Sequence, residues 1–145
     1  MNMKDERQFV GYSKYRSRLV DGHVHTELCP HGSGDRTAMM IEKAIELRIE
    51  KVCLTEHAPL PTAFATEYGG DKKAYDTASL KLNEVDTYLE LGRQLQRAYG
   101  THIDISLGFE VDYIPGFESD IQEFLDRYGP LTDDNILSVH FMEGV

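Results

Sequence analysis

Two histidines separated by a single residue, His23 and His25, close the strand expected from Arg18, and they are the side chains here best equipped for chemistry. A strand alternates its side chains, so both imidazoles point to one side. Two imidazoles aimed at one spot are half of a transition-metal site. His31 follows in Cys29-Pro30-His31-Gly32, and Glu56-His57 closes a second apolar run, Lys51 to Thr55. Glu110 interrupts the apolar segment Ile105 to Val111, where a carboxylate is costly to bury unless it is paired or bound to a cation. His140 ends the run Leu137-Ser138-Val139. The chemistry these types suggest is metal-dependent hydrolysis, with His23, His25, His31, His57, Glu110 and His140 as candidate metal ligands. Asp21, Glu56 and Asp112 are candidates to orient those imidazoles, and Arg36 is a candidate to meet an anionic group at a helix start. His102 precedes its strand and is expected at the opposite surface. Cys29 and Cys53 are expected to pack rather than to react.

Elements that could position these residues recur as a strand-and-helix rhythm. Residues 1–17 show no periodicity and are expected to be a flexible leader, with an ordered domain from 18 to 145. Strands are expected over Arg18–His25, Lys51–Thr55, Ile103–Val111 and Asn135–Phe141. A helix capped by Asp35 presents Met40, Ile41, Ala44 and Ile45 on one face. A long helix is expected over Ser79–Tyr99 and another over Phe117–Tyr128, each followed by glycine. Helices between successive strands predict a parallel sheet with right-handed crossovers. All strand C-termini then share one face, which is where the candidate ligands fall. The segment Pro59–Asp76 is expected to be a long loop able to cover a substrate.

Composition bounds the class. With 41% hydrophobic and 28% charged residues in 145, the chain is expected to fold as one globular domain. A formal net charge of −10 argues against nucleic-acid partners and is equally the charge of a merely soluble protein. Two cysteines make no disulfide framework, and neither a secretory signal nor an apolar run long enough for a membrane span is present, so a cytoplasmic protein is expected. Walker, GxSxG and HExxH patterns are missing.

Taken together, Asp21-Gly22-His23-Val24-His25-Thr26, Cys29-Pro30-His31-Gly32, Thr55-Glu56-His57-Ala58-Pro59-Leu60-Pro61, Gly108-Phe109-Glu110-Val111-Asp112-Tyr113-Ile114-Pro115-Gly116-Phe117-Glu118 and Ile136-Leu137-Ser138-Val139-His140-Phe141 resemble the polymerase-and-histidinol-phosphatase (PHP) family, in its histidinol-phosphatase branch. The resemblance implies an α/β fold, a parallel-stranded, TIM-like (β/α)7 barrel of which about four strands are here. It implies up to three divalent metals (Zn, Mn or Fe) at the strand C-termini. His23, His25 and Glu110 match the first metal position, Glu110 bridges to a second that His140 helps hold, and His31 and His57 match the third. The implied reaction is hydrolysis of L-histidinol phosphate to L-histidinol and phosphate, in histidine biosynthesis. A further histidine and an Asp-x-His pair of the family have no counterpart, so the chain is expected to be the N-terminal half of such a domain. An open barrel would leave strand edges for a second copy or a complementing C-terminal half. The alternatives are another PHP-family phosphoesterase and a non-catalytic, metal-binding half-barrel.

Overall fold

In the computed structural model, which describes residues 18–64 and 72–141, four strands form one sheet: β1 (Val20–Val24), β2 (Lys51–His57), β3 (Asp104–Asp112) and β4 (Ile136–Ser138). Their spatial order is their chain order, and every neighbouring pair is parallel. Parallel neighbours require crossovers, and helices supply them. Helix α1 (Thr37–Glu46) joins β1 to β2, α2 (Lys72–Ala78) and α3 (Val85–Tyr99) lie between β2 and β3, and α4 (Glu118–Tyr128) leads to β4. The expected partial barrel is therefore present, a curled sheet with helices on its outer side.

The two faces of the sheet differ in kind. Val52 and Leu54 of β2 and Ile105, Leu107, Phe109 and Val111 of β3 pack against Ile41 and Ala44 of α1 and against Val85, Tyr88, Leu89 and Leu95 of α3. The alternate positions, Cys53, Thr55, His57, Ser106, Glu110 and Asp112, are buried on the other face and turn polar toward the strand C-termini. Tyr88 ties the two layers together. Its hydroxyl lies 3.0 Å from Leu54 O and 2.6 Å from Gly108 O, and accepts the Glu56 N–H at 3.3 Å. Burial pushes the Tyr88 phenol well above its ordinary pKa, so it stays protonated and able to donate. Tyr88→Phe leaves these buried groups short of a partner and is expected to cost about 1–3 kcal/mol, read from urea unfolding.

Several boundaries differ from the sequence reading, each for a local reason. Arg36, not Asp35, is the N-cap of α1, and its side chain makes no capping bond. Asp35 instead bonds with Ser33, while Glu27 accepts the Thr37 N–H and its own N–H donates to Thr37 Oγ1 at 3.2 Å. This reciprocal pair closes the loop that carries His31. Helix α2 occupies part of the expected loop Pro59–Asp76, and residues 65–71 of that loop lie outside the described residues. A 3-10 turn, Leu82–Glu84, precedes α3. Strand β4 is three residues long, so His140 stands beyond its end. The expected leader, 1–17, also lies outside the described residues. No helix among the described residues is long and apolar enough to cross a membrane.

Candidate metal centre

Register decides which side chains can meet. Val20 pairs with Lys51 and Asp21 with Val52, but Val24 pairs with Leu54, so β1 carries an extra residue across Gly22 and His23. A one-residue shift exchanges the faces of everything that follows. Without that bulge, His23 and His25 would fall on the helix-facing side with Leu54. With it, they join Thr55 and His57. On the next strand His57 pairs with Glu110, and Asp112 with Ser138, which places Glu110 and Asp112 on the same face. Asp21, ahead of the bulge, is left on the other side.

Six side chains from four strand ends converge as a result. Glu110 Oε2 lies 2.9 Å from His23 Nε2 and 3.1 Å from His25 Nε2, and these two nitrogens are 3.0 Å apart. Ligand atoms around one first-row divalent ion, at bonds of about 2.1 Å, stand roughly 3.0–3.4 Å from one another, so this trio has the spacing of a coordination shell. The same Oε2 is 3.3 Å from His57 Nδ1, while Oε1 is 3.4 Å from His140 Nε2. Glu110 is thus buried between three imidazoles on one oxygen and a fourth on the other. His57 Nδ1 is buried and has no hydrogen-bond partner among the described residues. An orphaned imidazole nitrogen facing a carboxylate and two further histidine rings fits a metal ligand.

The remaining imidazoles are aimed by groups behind them. His31 donates from Nδ1 to Thr77 O at 2.9 Å, which leaves Nε2 as its lone-pair nitrogen, with its ring 5.2 Å from that of His57. His140 Nδ1 bonds to Asp112 Oδ1 at 2.6 Å. His25 Nδ1 is 3.3 Å from Cys29 Sγ. A ligating imidazole normally gives its other nitrogen to such a partner, which fixes the tautomer. Burial pushes the His57 imidazole below its ordinary pKa, against the pull of Glu110, which favours the uncharged ring. For Glu110, burial would raise the carboxyl, but the surrounding His57, His23 and His25 outweigh it and hold the group ionised below the usual range.

Among the described residues four groupings of metal-ligating type result: His23, His25 and Glu110; His25, His31 and His57; His57, Asp112 and His140; and His25, Cys29 and Glu56. Of the residues singled out from sequence, Asp21 and Arg36 are exposed and make no bond to these groups. Arg36 sits at the start of α1 as its N-cap residue. Glu56 is buried behind the cluster, and Asp112 lies within it. Sequence reasoning did not foresee the partners Cys29 and Thr77. A main-chain carbonyl leaves no trace in composition, and Cys29, four residues after His25, reads equally as a packing residue. A cavity of about 360 Å³ opens beside the cluster, lined by His31, His57, Thr77, Ala78, Asp112, His140 and Phe141.

Comparison with known proteins bears on the family and the fold. Residues 21–144 match the PHP domain. The histidinol-phosphatase of Bacillus subtilis (strain 168) is 43% identical over 122 residues, covering 84% of this chain and 44% of that protein. A protein of Deinococcus radiodurans assigned the same activity is 27% identical over 124 residues, or 43% of its length. A crystal structure of a chain from Listeria monocytogenes, also assigned as a histidinol phosphatase, superposes with a TM-score of 0.82 at 43% identity, covering 85% of this chain and 45% of that one. The Lactococcus lactis histidinol phosphate phosphatase, solved with zinc, L-histidinol and phosphate, shares the fold with a TM-score of 0.64 at 24% identity, over 86% of this chain and 41% of that one. The chain spans less than half the length of the curated relatives it matches.

Proposed function

This chain belongs to the PHP domain family, and from that premise we propose that its histidine and carboxylate cluster is the metal-binding part of a phosphomonoesterase centre that hydrolyses L-histidinol phosphate to L-histidinol and phosphate, a step of histidine biosynthesis. The observation that carries the proposal is Glu110, whose two oxygens face His23, His25 and His57 on one side and His140 on the other. The 43% identical Bacillus relative supports the choice of substrate.

Mixed nitrogen and carboxylate donors suit Zn, Mn or Fe. His23, His25 and Glu110 would hold one ion, Glu110 and His140 a second, and His31 with His57 a third. Bound divalent metals supply Lewis acidity, making a water nucleophilic near neutral pH and offsetting phosphoryl charge. The chain's own groups do the positioning. Thr77 O and Asp112 turn His31 and His140 so that their Nε2 atoms face inward. Burial of His57 favours the uncharged ring with a nitrogen lone pair to offer, and Glu110 brings the negative charge that a dication requires. The cavity of about 360 Å³ lined by His31, His140 and Phe141 would receive the phosphate monoester.

Both edge strands leave apolar side chains uncovered: Val20 is 51% exposed on β1, and Leu137 is 67% exposed on β4. This observation favours a second reading, in which the chain alone binds metal without turnover and acts with a complementing half or a second copy along those edges. The proposal places the protein in the cytoplasm, in keeping with Cys29 and Cys53, which are buried and unpaired.

Phosphate release from L-histidinol phosphate by the purified 145-residue chain tests the proposal. Release is expected to stop with a chelator and to return with Mn²⁺ or Zn²⁺, and His23→Ala should abolish it. Turnover indifferent to chelation contradicts the metal reading. A folded chain that binds metal without releasing phosphate favours the second one.

A further inference from the structure

None of the three proposed metal positions uses Glu56, yet it is 0% exposed and lies at the end of β2, where it groups with His25 and Cys29 behind the cluster. An ionised carboxylate in that position is costly unless its oxygens are satisfied. Oε2 accepts the Thr26 N–H at 2.9 Å and the Thr26 hydroxyl at 2.8 Å. Oε1 accepts the His57 N–H at 3.1 Å and lies 3.6 Å from His25 Nδ1. Thr26 follows His25 directly. One carboxylate therefore joins the main chain adjoining a ligand on β1 to the main chain of a ligand on β2.

That link matters because β1 is weakly held where it ends. It is an edge strand, and its register with β2 runs out at Val24 and Leu54, one residue before His25. Beyond that point Glu56 carries the connection between the two strands. We propose that Glu56 is a positioning residue of the metal centre: it clamps His25 and His57 at the mutual placement seen here, ring centroids 4.6 Å apart and planes at 84°, and so pre-forms the site for a divalent cation. The inference rests on the metal reading of the cluster. Its physical content is preorganisation, since a ligand pair fixed before the ion arrives loses less freedom on binding.

The test is an equilibrium Zn²⁺ titration of the 145-residue chain against a chromophoric chelator, run beside thermal unfolding of the metal-free chain. Glu56→Gln keeps the size of the side chain but swaps one acceptor oxygen for an amide donor, so one of the two ties is lost. Its zinc affinity is expected to fall about 10–100-fold. The control is Gly92→Ala, whose added Cβ meets Leu107 Cδ1 at 2.3 Å on the helix side of the sheet. It should lower the unfolding temperature while leaving zinc affinity within about twofold. If Glu56→Gln does not fold, Thr26→Val removes the hydroxyl that donates to Glu56 and accepts the Leu28 N–H at 3.3 Å; a loss of about threefold or more, restored by Thr26→Ser, is then expected. Zinc affinity unchanged in Glu56→Gln or Thr26→Val, or equally weakened in Gly92→Ala, overturns the positioning role. A wild-type chain that binds no zinc overturns the metal reading itself, and the role of Glu56 with it.

Discussion

Glu110→Gln is expected to lower zinc affinity by at least about 100-fold while leaving a folded chain. Losing a partner that merely orients a ligand already costs about 10–100-fold, and Glu110 is the point on which the ligands converge. Its Oε2 sits 2.9 and 3.1 Å from two imidazole nitrogens and 3.3 Å from a third, and its Oε1 faces His140. Glutamine replaces one of these oxygens by an NH₂ group, which donates and cannot ligate. It also removes the negative charge that would offset a dication held among histidines. The same chelator competition reads the effect, with circular dichroism as the check on folding. An affinity within threefold of wild type would mean that Glu110 is a structural carboxylate and that the convergence is incidental.

The second large effect concerns the scaffold. An added Cβ at Gly108 would lie 1.5 Å from Asp134 O and 2.6 Å from its carbonyl carbon, so Gly108→Ala cannot be absorbed by a side-chain adjustment. The approach is close because the segment before β4 is sewn to β3 on both sides of Gly108. Asp133 Oδ2 accepts the Leu107 N–H at 2.9 Å, Asn135 Oδ1 accepts the Phe109 N–H at 2.9 Å, and the Asp133 N–H donates to Leu107 O at 2.7 Å. Moving Asp134 away breaks these bonds and shifts the start of the strand that delivers His140. At about 1 kcal/mol or more for each bond, the expected loss is at least about 3 kcal/mol. For a domain of this size that lowers the unfolding temperature by roughly 10 °C. An unchanged thermal transition would contradict the packing described here.

The parts of the site that were legible in the sequence follow from short periodicities. His23 and His25 point the same way because strands alternate, and the remaining ligands cluster because parallel strands end on one face. The bulge in β1 was not legible. It depends on how β1 lies against β2, and Gly22, the residue it crosses, has open space around it rather than a demand that only glycine could meet. The start of α1 differs from its sequence signal for a comparable reason. Asp35 has the chemistry of a cap, but the carboxylate that serves the Thr37 N–H comes from Glu27, ten residues back along a loop whose path no local rule predicts. Helix α2, within what reads as a loop, begins with Lys72 and carries an i,i+4 pair from Lys72 to Asp76 at 2.8 Å. That pair was visible in the sequence, but it stabilises an isolated helix by only about 0.2–0.5 kcal/mol and could not decide the assignment alone. Glu56 reads from the sequence as a candidate to orient imidazoles, whereas its bonds to Thr26 require the placement of the end of β1 against β2.

The central claim, that four strand ends hold divalent metal, is tested most directly by anomalous diffraction from crystals of the chain grown with Zn²⁺. The account predicts an anomalous peak bounded by His23, His25 and Glu110, lost in Glu110→Gln crystals grown the same way. An ordered cluster showing no peak there at saturating zinc would contradict it.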